Sequence, residues 1–267
     1  LFVDRDNAGG AQQIVARVAE QTARGARVWP QVQTRPIDIS FNFSVPSLLF
    51  IRLPKWYALM RFNEPEQIMA SLNDSSVRDA LVAEARGMMP LWNRLVLRQV
   101  VSEANQCLVG KTLQEIAELR GSDALNVMID VSLEESLDAH FLSGDMGHNE
   151  DDLVAPLLKH PNVMVGASDG GAHILSFATY GDTGYLLGHF VRDTEHLGLE
   201  AAVKKITADP ASLWGLGNRG MLREGFIADI TVFDEAVVDR GVEYFVQDVP
   251  GDGYRYVRDA HGIHFVV

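Results

Sequence analysis

The sequence predicts an α/β fold in which helices alternate with short parallel strands, and two stretches of the chain predict it. Residues 12–26 have helical periodicity with a stop at Gly25, and the apolar segment 29–32 follows directly. The same order returns later, where a helix over 153–160 leads to the apolar run 163–166. Helix followed by strand is the rhythm of parallel α/β units, so we expect these two strands to be parallel to each other. Residues 242–267 are strand-rich instead and carry Pro and Gly turns.

Composition narrows the class of protein. The 267 residues carry a formal net charge of −13, which argues against nucleic acid or an anionic membrane surface as a partner. No stretch has the ~18 consecutive apolar residues that a membrane span needs. The single cysteine, Cys107, excludes an intrachain disulfide and fits a reducing compartment, so a cytoplasmic location is expected. The chain opens on a loop-like segment and stops within an apolar strand, so we expect both ends to be cuts in a longer protein.

The elements between and after the two strands follow from periodicity and capping residues. Residues 37–62 are aromatic and apolar without a clear period, and we expect a loop excursion with short helices that can wall a binding cleft, although an aromatic stripe more often belongs to a core. Lys204-Lys205 is expected to lie on a solvated helix face. The remaining predicted elements are a helix over 64–86, a strand over 94–102, a helix from Thr112 to its C-cap Gly121, a helix capped by Ser122, a strand over 139–142, helices over 183–192, 199–206 and 210–216, and a strand over 228–233.

The chain is organised around residues 163–173, VMVGASDGGAH. Asp169 stands just past the C-terminal end of the predicted strand, which is where parallel α/β folds place ligands and chemistry. Gly170 and Gly171 follow it and let the backbone approach a ligand or metal closely. A carboxylate so placed can ligate a metal, accept a proton from a metal-bound water, or do both. Asp-Gly-Gly is also a common turn, so the motif alone leaves function and turn open.

Two further polar residues are expected at the same edge as Asp169. Gln31 and Arg35 lie at the C-terminal end of the strand over 29–32. An arginine there can hold a substrate carboxylate through a bidentate fork. The alternative is an ion pair with a loop acid such as Asp38.

An acidic loop precedes the central strand and resembles a metal cluster at first sight. Residues 143–152, SGDMGHNEDD, include Asp145, His148 and three further acids. Their spacing matches no loop with defined ligand positions. We therefore predict a solvated loop that leads into an acidic helix N-terminus.

Four motifs in this order resemble the amidohydrolase superfamily, and most closely its N-acyl-D-amino-acid deacylases. They are RVWPQVQTRP at 27–36, SDGGAH at 168–173, TADPASLWGLGNRG at 207–220 and RGMLREGFIADITVFD at 219–234. The resemblance implies the last strands and helices of a TIM-type (β/α)8 barrel with a small flanking β-sandwich. Residues 1–216 would be the C-terminal part of the barrel, with a helical insertion at about 37–160, and residues 217–267 would belong to the flanking domain.

The same resemblance implies a zinc-dependent hydrolase of non-peptide C–N bonds, acting on a small N-acyl amino acid or related amide. Asp169 would accept a proton from the zinc-bound water, pass it to the leaving amine, and contact one of one or two zinc ions. His173, Gln31, Arg35 and Gly170 would contact substrate. Homo-oligomer formation stays open.

The sequence also departs from the family pattern. The metal-binding His-x-His and the other barrel histidines have no match, so we expect them upstream of Leu1 and expect the isolated chain to be inactive or very weakly active. Trp29-Pro30-Gln31 stands where these deacylases have Tyr-Pro-Tyr, and the substrate-binding arginine expected some nine residues after Asp169 is replaced near Ala178. Two alternatives therefore remain. One is an amidohydrolase of cyclic amides, and the other is a non-enzymatic binding or scaffold protein in which Asp169 is only a turn residue.

Overall fold

The computed structural model describes residues 1–3, 8–144, 146–166, 168–176, 180–251 and 253–267, and for Phe62 the backbone alone. The α-helices α1 to α11 are, in chain order, Ala8–Ala23, Pro54–Phe62, Pro65–Asn73, Ser75–Ala85, Met89–Arg94, Leu113–Arg120, Ala124–Glu134, Asp151–Lys159, Asp182–Tyr185, Leu199–Ile206 and Ala208–Leu213. The strands β1 to β11 are Gln31–Val32, Ile39–Phe41, Val96–Gln99, His140–Ser143, Met164–Val165, Thr231–Phe233, Asp239–Arg240, Tyr244–Val249, Gly253–Val257, Ala260–His261 and Ile263–Val266. Short 3₁₀ helices span Leu48–Phe50, Arg86–Met88 and Glu103–Leu108, and a π-helix spans Leu186–Asp193.

The two predicted parallel strands do pair in parallel. β1 and β5 lie side by side with Gln31 opposite Met164 and Val32 opposite Val165. Helix α1 leads into the first and α8 into the second, and both helices bury apolar side chains in a core that also contains Val32 and Val163. On α1 the side chains of Ala11 and Val15 are buried, while Ile14 is 50% exposed.

A second core lies in the segment between β1 and β5, which we call the helical segment. Side chains of Phe41, Phe43, Phe50, Trp56 and Phe141 are fully buried there, with neighbouring ring centroids 5.0–6.3 Å apart. The aromatic rings of the stretch 37–62 thus form a core, as aromatic stripes more often do, and the expectation that the stretch walls a binding cleft stays a prediction. Aromatic rings at this spacing pack on one another and exclude water, so they stabilise the interior of this segment.

The helical segment also contains a sheet of three antiparallel strands. β4 lies in the centre, with β2 and β3 on either side. Phe41 and Phe141 pair directly across β2 and β4, which brings two of the buried rings together. The helical segment thus has its own sheet and core.

Local capping decided several helix boundaries. Thr112 and Gly121 bound α6 as predicted, through a capping box with Glu115 and a left-handed C-cap. The predicted helix over 64–86 is two helices, because the Asp74 carboxylate accepts from the N–H groups of Ser76 and Val77 and starts α4. Helix α7 begins at Ala124, one residue later than predicted.

That helix, α7, is capped by Asp123 and not by Ser122, since the Asp123 side chain accepts from the Asn126 N–H at 3.0 Å. Lys205 in α10 also differs from the prediction, because it is only 8% exposed. Its ammonium donates to the carbonyls of His160 and Val163 at 2.6 and 2.7 Å. These bonds give partners to two backbone carbonyls between α8 and β5.

The predicted helix over 183–192 exists, but after α9 it continues as the π-helix. Gly184 and Gly188 lie against the backbone of β7 and the residue before it, at a distance that leaves no room for a Cβ. The C-terminal strands pair antiparallel, β6 with β11, β7 with β10 and β8 with β9. None of the helices in the described ranges is both long and apolar enough to cross a bilayer.

The α/β class is therefore confirmed. Within the described residues the parallel part consists of β1 and β5, and the remaining strands form small antiparallel sheets. Closure into a barrel, a flanking sandwich and the domain boundaries at 37, 160 and 217 stay predictions.

Candidate functional site

The site begins where the two parallel strands end. The Gly166 N–H donates to the Val32 carbonyl at 3.0 Å, which continues the parallel pairing one residue past β5. Gln31 Oε1 lies 2.8 Å from where a Cβ of Gly166 would stand, so the missing side chain makes room for the Gln31 amide. Gln31 thus lies beside the strand that leads to Asp169.

Asp169 lies exposed just beyond this strand end. Its carbonyl accepts from the Ala172 N–H at 3.0 Å, so the Asp-Gly-Gly sequence does form a turn, with Gly171 at φ 92°. Asp169 itself has φ 60°, which is uncommon for a residue other than glycine. The turn and the functional interpretations are compatible, because the backbone makes the turn while the carboxylate stays at the surface of the strand end.

His173 repeats this pattern four residues later. It is exposed, has φ 48°, and its carbonyl accepts from the Ser176 N–H at 2.7 Å. Gly170 is exposed between Asp169 and His173, and its N–H donates to the Ser168 hydroxyl at 3.3 Å. Two non-glycine residues in left-handed conformations so close together store backbone strain, and such strain clusters at functional sites.

Arg35 does not lie where a side chain that binds a substrate carboxylate would have to lie, because it is buried and already paired. It is 1% exposed, and its Nε lies 3.3 Å from Asp182 Oδ2. Its two terminal nitrogens donate to the carbonyls of Pro36 at 3.0 Å and Ser168 at 3.1 Å. These contacts match the alternative of an ion pair with an acid, but the acid is Asp182 at the start of a helix and not the loop residue Asp38.

Asp182 was missed by sequence reasoning. It is the first residue of α9, it follows Gly181 at φ 96°, and it is 8% exposed. Besides Arg35 it binds Thr34, whose hydroxyl donates to the Asp182 carbonyl at 2.8 Å. The sequence signal was a Gly-Asp helix start, but no pattern could have paired it with Arg35 across 147 positions.

Two other elements hold the loop that contains Asp169 and His173. The Ser40 N–H of β2 donates to the Ser176 carbonyl at 2.7 Å, and the Tyr256 N–H of β9 donates to the Ile174 carbonyl at 3.0 Å. His140 Nδ1 in turn lies 2.5 Å from the Tyr256 hydroxyl. Burial lowers the pKa of His140 to about 4, so the ring is neutral at pH 7. The loop therefore takes its shape from the helical segment and from the C-terminal strands.

The donor atoms of the described residues do not make a zinc site. No group of three His, Cys, Asp or Glu side chains that could hold a metal occurs among the residues the structure describes. In the acidic loop, Asp145 lies outside the described residues, His148 is 2% exposed beside Phe2, and Asp151 binds His189 at 2.9 Å. The position near Ala178, where an arginine is expected, lies outside the described residues as well.

Comparison with known proteins assigns the class. The amidohydrolase family matches residues 53–257, well over half of the chain, and the chain belongs to that family. An uncharacterized protein of Mycobacterium tuberculosis is 30% identical over 167 residues, which are 60% of this chain and 27% of that protein. The N-acyl-D-glutamate deacylase of Alcaligenes xylosoxydans xylosoxydans is 39% identical over 135 residues, which are 49% of this chain and 26% of the enzyme.

A solved structure is similar over most of the chain. It is the N-acyl-D-glutamate deacylase from Bordetella bronchiseptica complexed with zinc and a phosphonate inhibitor, with 21% identity and a TM-score of 0.49. The match covers 97% of this chain and 42% of that one. The matched parts span about a quarter of the length of the curated relatives.

Proposed function

We propose that this chain is part of a hydrolase that cleaves non-peptide C–N bonds in N-acyl amino acids, in the manner of N-acyl-D-amino-acid deacylases. The observation that carries the proposal is the exposed Asp169 carboxylate, which stands at the C-terminal end of a parallel strand in a strained left-handed conformation. Membership of the amidohydrolase family and the deacylases among its relatives support it.

In this proposal Asp169 is the general base and then the general acid. Its carboxylate takes a proton from the water that attacks the amide carbonyl, and it returns the proton to the nitrogen as the C–N bond breaks. Proton transfer by a positioned side chain contributes about 10²- to 10⁴-fold in rate. The Arg35 bond to the Ser168 carbonyl holds the residue before Asp169, so Arg35 acts as a positioning residue.

Gln31, Gly170 and His173 are proposed to contact the substrate. Gly170 and His173 lie on the exposed turn around Asp169, and Gln31 opens β1 with its amide beside Gly166. Gly170 exposes backbone without a side chain, which suits close approach of a ligand. Zinc, in one or two ions with Asp169 as one ligand, belongs to the proposal for the longer protein. Its other ligands would have to come from outside the described residues, because those residues do not fit a complete site.

The test compares Asp169→Asn with Asp152→Asn in the full-length protein that contains this chain. Asp152 is an exposed acid in the first turn of α8 and serves as the matched control. N-acetyl-D- and N-acetyl-L-amino acids are the substrates, zinc content is measured on each protein, and Tm reports the fold. We expect Asp169→Asn to lower kcat by about 10²-fold or more at unchanged Tm. Equal activity of the two variants, or a loss of Tm alone, would support the scaffold alternative instead.

A further inference from the structure

Tyr256 on β9 holds the end of the exposed loop that follows Asp169. Its N–H donates to the Ile174 carbonyl at 3.0 Å, one residue after His173. Its carbonyl accepts from the Tyr180 hydroxyl at 3.2 Å. Both backbone groups of Tyr256 therefore bind the chain that follows His173, so this strand fixes where the turn with His173 lies.

The side chain of Tyr256 is fixed in turn by His140 on β4, in the helical segment. His140 Nδ1 lies 2.5 Å from the Tyr256 hydroxyl, and both residues are buried. The Phe245 ring packs against both, with its centroid 4.4 Å from that of His140 and 5.2 Å from that of Tyr256. A buried polar group that loses its partner keeps its full desolvation cost, so this hydrogen bond holds the Tyr256 ring in one orientation.

The hydrogen bond between these two rings has a defined direction. Burial lowers the pKa of His140 to about 4, so the ring is neutral at pH 7 and one ring nitrogen accepts. Asp138 Oδ1 lies 3.8 Å from Nε2, which favours the ring proton on that nitrogen. Burial raises the pKa of Tyr256, so its hydroxyl keeps its proton and donates to Nδ1. A side chain at position 140 therefore needs an acceptor at the place of Nδ1 to keep Tyr256 bound.

The opposite end of the loop depends on a different partner. Arg35 donates to the Ser168 carbonyl at 3.1 Å, directly before Asp169. The carboxylate proposed for proton transfer and the side chain of His173 are thus attached to the fold by separate contacts. A defect at Tyr256 should therefore move His173 more than Asp169.

The geometry points to His140 and Tyr256 as positioning residues for His173 in substrate binding. This role rests on the proposed function, because that function assigns His173 to the substrate. His173 has φ 48°, and its carbonyl accepts from the Ser176 N–H at 2.7 Å, so its backbone is fixed within the turn. The bond from Tyr256 to Ile174 then fixes the turn against the strands. A binding side chain must be held within about 0.5 Å of its productive geometry, which packed and hydrogen-bonded neighbours provide.

The experiment uses the full-length protein that contains this chain, as wild type and as four variants. Tyr256→Phe removes the donor and His140→Leu removes the acceptor, whereas His140→Asn keeps an oxygen close to the place of Nδ1. Tyr244→Phe is the matched control, because Tyr244 on β8 is 43% exposed and its hydroxyl donates to Asp259 at 3.2 Å. Tm reports whether each variant folds, and Tyr256→Phe, which keeps the buried ring, carries the test if His140→Leu does not fold.

Two measurements are made on each folded protein. The constants kcat and KM are determined for the N-acetyl-amino acid that wild type hydrolyses fastest, and deuterium uptake is followed in peptides over 170–176 and 253–257. The peptide over 113–120 in α6 is the reference for global opening. We expect Tyr256→Phe and His140→Leu to raise KM about three- to tenfold and to speed exchange at 170–176, with kcat changed less than about twofold. His140→Asn and Tyr244→Phe should stay close to wild type.

Unchanged KM or unchanged exchange in Tyr256→Phe, or a fall in kcat instead, would overturn the positioning role while the proposed function stands. A rise in KM of the same size in Tyr244→Phe would do so as well, since the effect would not depend on the loop. If wild type hydrolyses none of the substrates, or if Asp169→Asn and Asp152→Asn are equally active, the proposed function fails and this role fails with it. A KM defect in Tyr256→Phe that His140→Asn lacks, together with faster exchange of the loop, supports the role.

Discussion

Gly188 tests how the C-terminal strands are attached to the rest of the fold. An added Cβ at this position would stand 2.8 Å from the Val238 carbonyl oxygen and 2.9 Å from Asp239 Cγ. The Val238 carbonyl cannot retreat freely, because it accepts from Arg192 Nη1 at 2.7 Å. β7 follows directly and pairs with β10, so any shift propagates into the hairpin.

The magnitude of Gly188→Ala follows from two opposing effects. Alanine gains up to about 1 kcal/mol over glycine in a helix. Overpacking against a rigid neighbour costs about 1–3 kcal/mol. With the full helix gain subtracted, we therefore expect a net loss of up to about 2 kcal/mol, which lowers Tm by up to about 8 °C in a chain of this size.

The measurement is urea unfolding and Tm of the 267-residue chain, with Gly9→Ala as the matched control. Gly9 lies in α1, and an added Cβ there meets nothing within 4 Å. That variant should gain up to about 1 kcal/mol. If Gly188→Ala is as stable as Gly9→Ala, the close packing of the π-helix on β7 is wrong.

Other predictions concern acid sensitivity and capping. Glu135, at 4% exposure, accepts hydrogen bonds from the backbone of 101–102 and from the Asn105 amide, so Glu135→Gln should lower the free energy of unfolding by about 1–3 kcal/mol at pH 7. Burial raises the pKa of this carboxyl, but the hydrogen bonds outweigh it and hold the pKa below 4.5; the difference between wild type and variant should therefore shrink in urea titrations as pH falls below 4.5. The pKa of His140 is also lowered on folding, from 6.5 to about 4, but by burial and not by hydrogen bonds. The free energy of unfolding should therefore fall as pH drops from 6.5 to 4, and His140→Gln should flatten that slope. Asp123→Ala should cost about 1 kcal/mol in thermal unfolding and Ser122→Ala almost nothing, and the reverse order would contradict the observed cap.

The backbone conformation at Asp169 bears on both interpretations of the Asp-Gly-Gly motif, the turn and the functional site. A turn residue needs only its backbone, and the Ala172 N–H bond accounts for that part. Both Asp169 and His173, on either side of Gly170 and Gly171, have a left-handed φ of their own. Substitution of Asp169 by asparagine tolerates the same φ, so the proposed activity test changes the carboxylate and leaves the turn intact.

Much of the local structure could be predicted from the sequence. Thr112 and Gly121 predict both ends of helix α6, because caps are short-range signals, and the structure adds the capping box with Glu115. The parallel pairing of β1 with β5 was predicted as well, since helix–strand order restricts the connection between parallel strands. The aromatic stretch 37–62 left two interpretations open, because periodicity does not tell whether apolar rings face a cleft or one another, and the structure packs its rings on one another.

The sequence by itself determined the α/β class, the amidohydrolase motifs and the position of Asp169 after a strand, because these depend on residues close together in the chain. The tertiary structure alone decided which charged side chains pair with one another. Arg35 binds Asp182 across 147 positions, and Asp38 binds Arg240 and Arg258 across more than 200. Such pairs leave no periodic trace in the sequence, because the energy of a buried ion pair depends on where folding brings two charges together and not on their spacing along the chain.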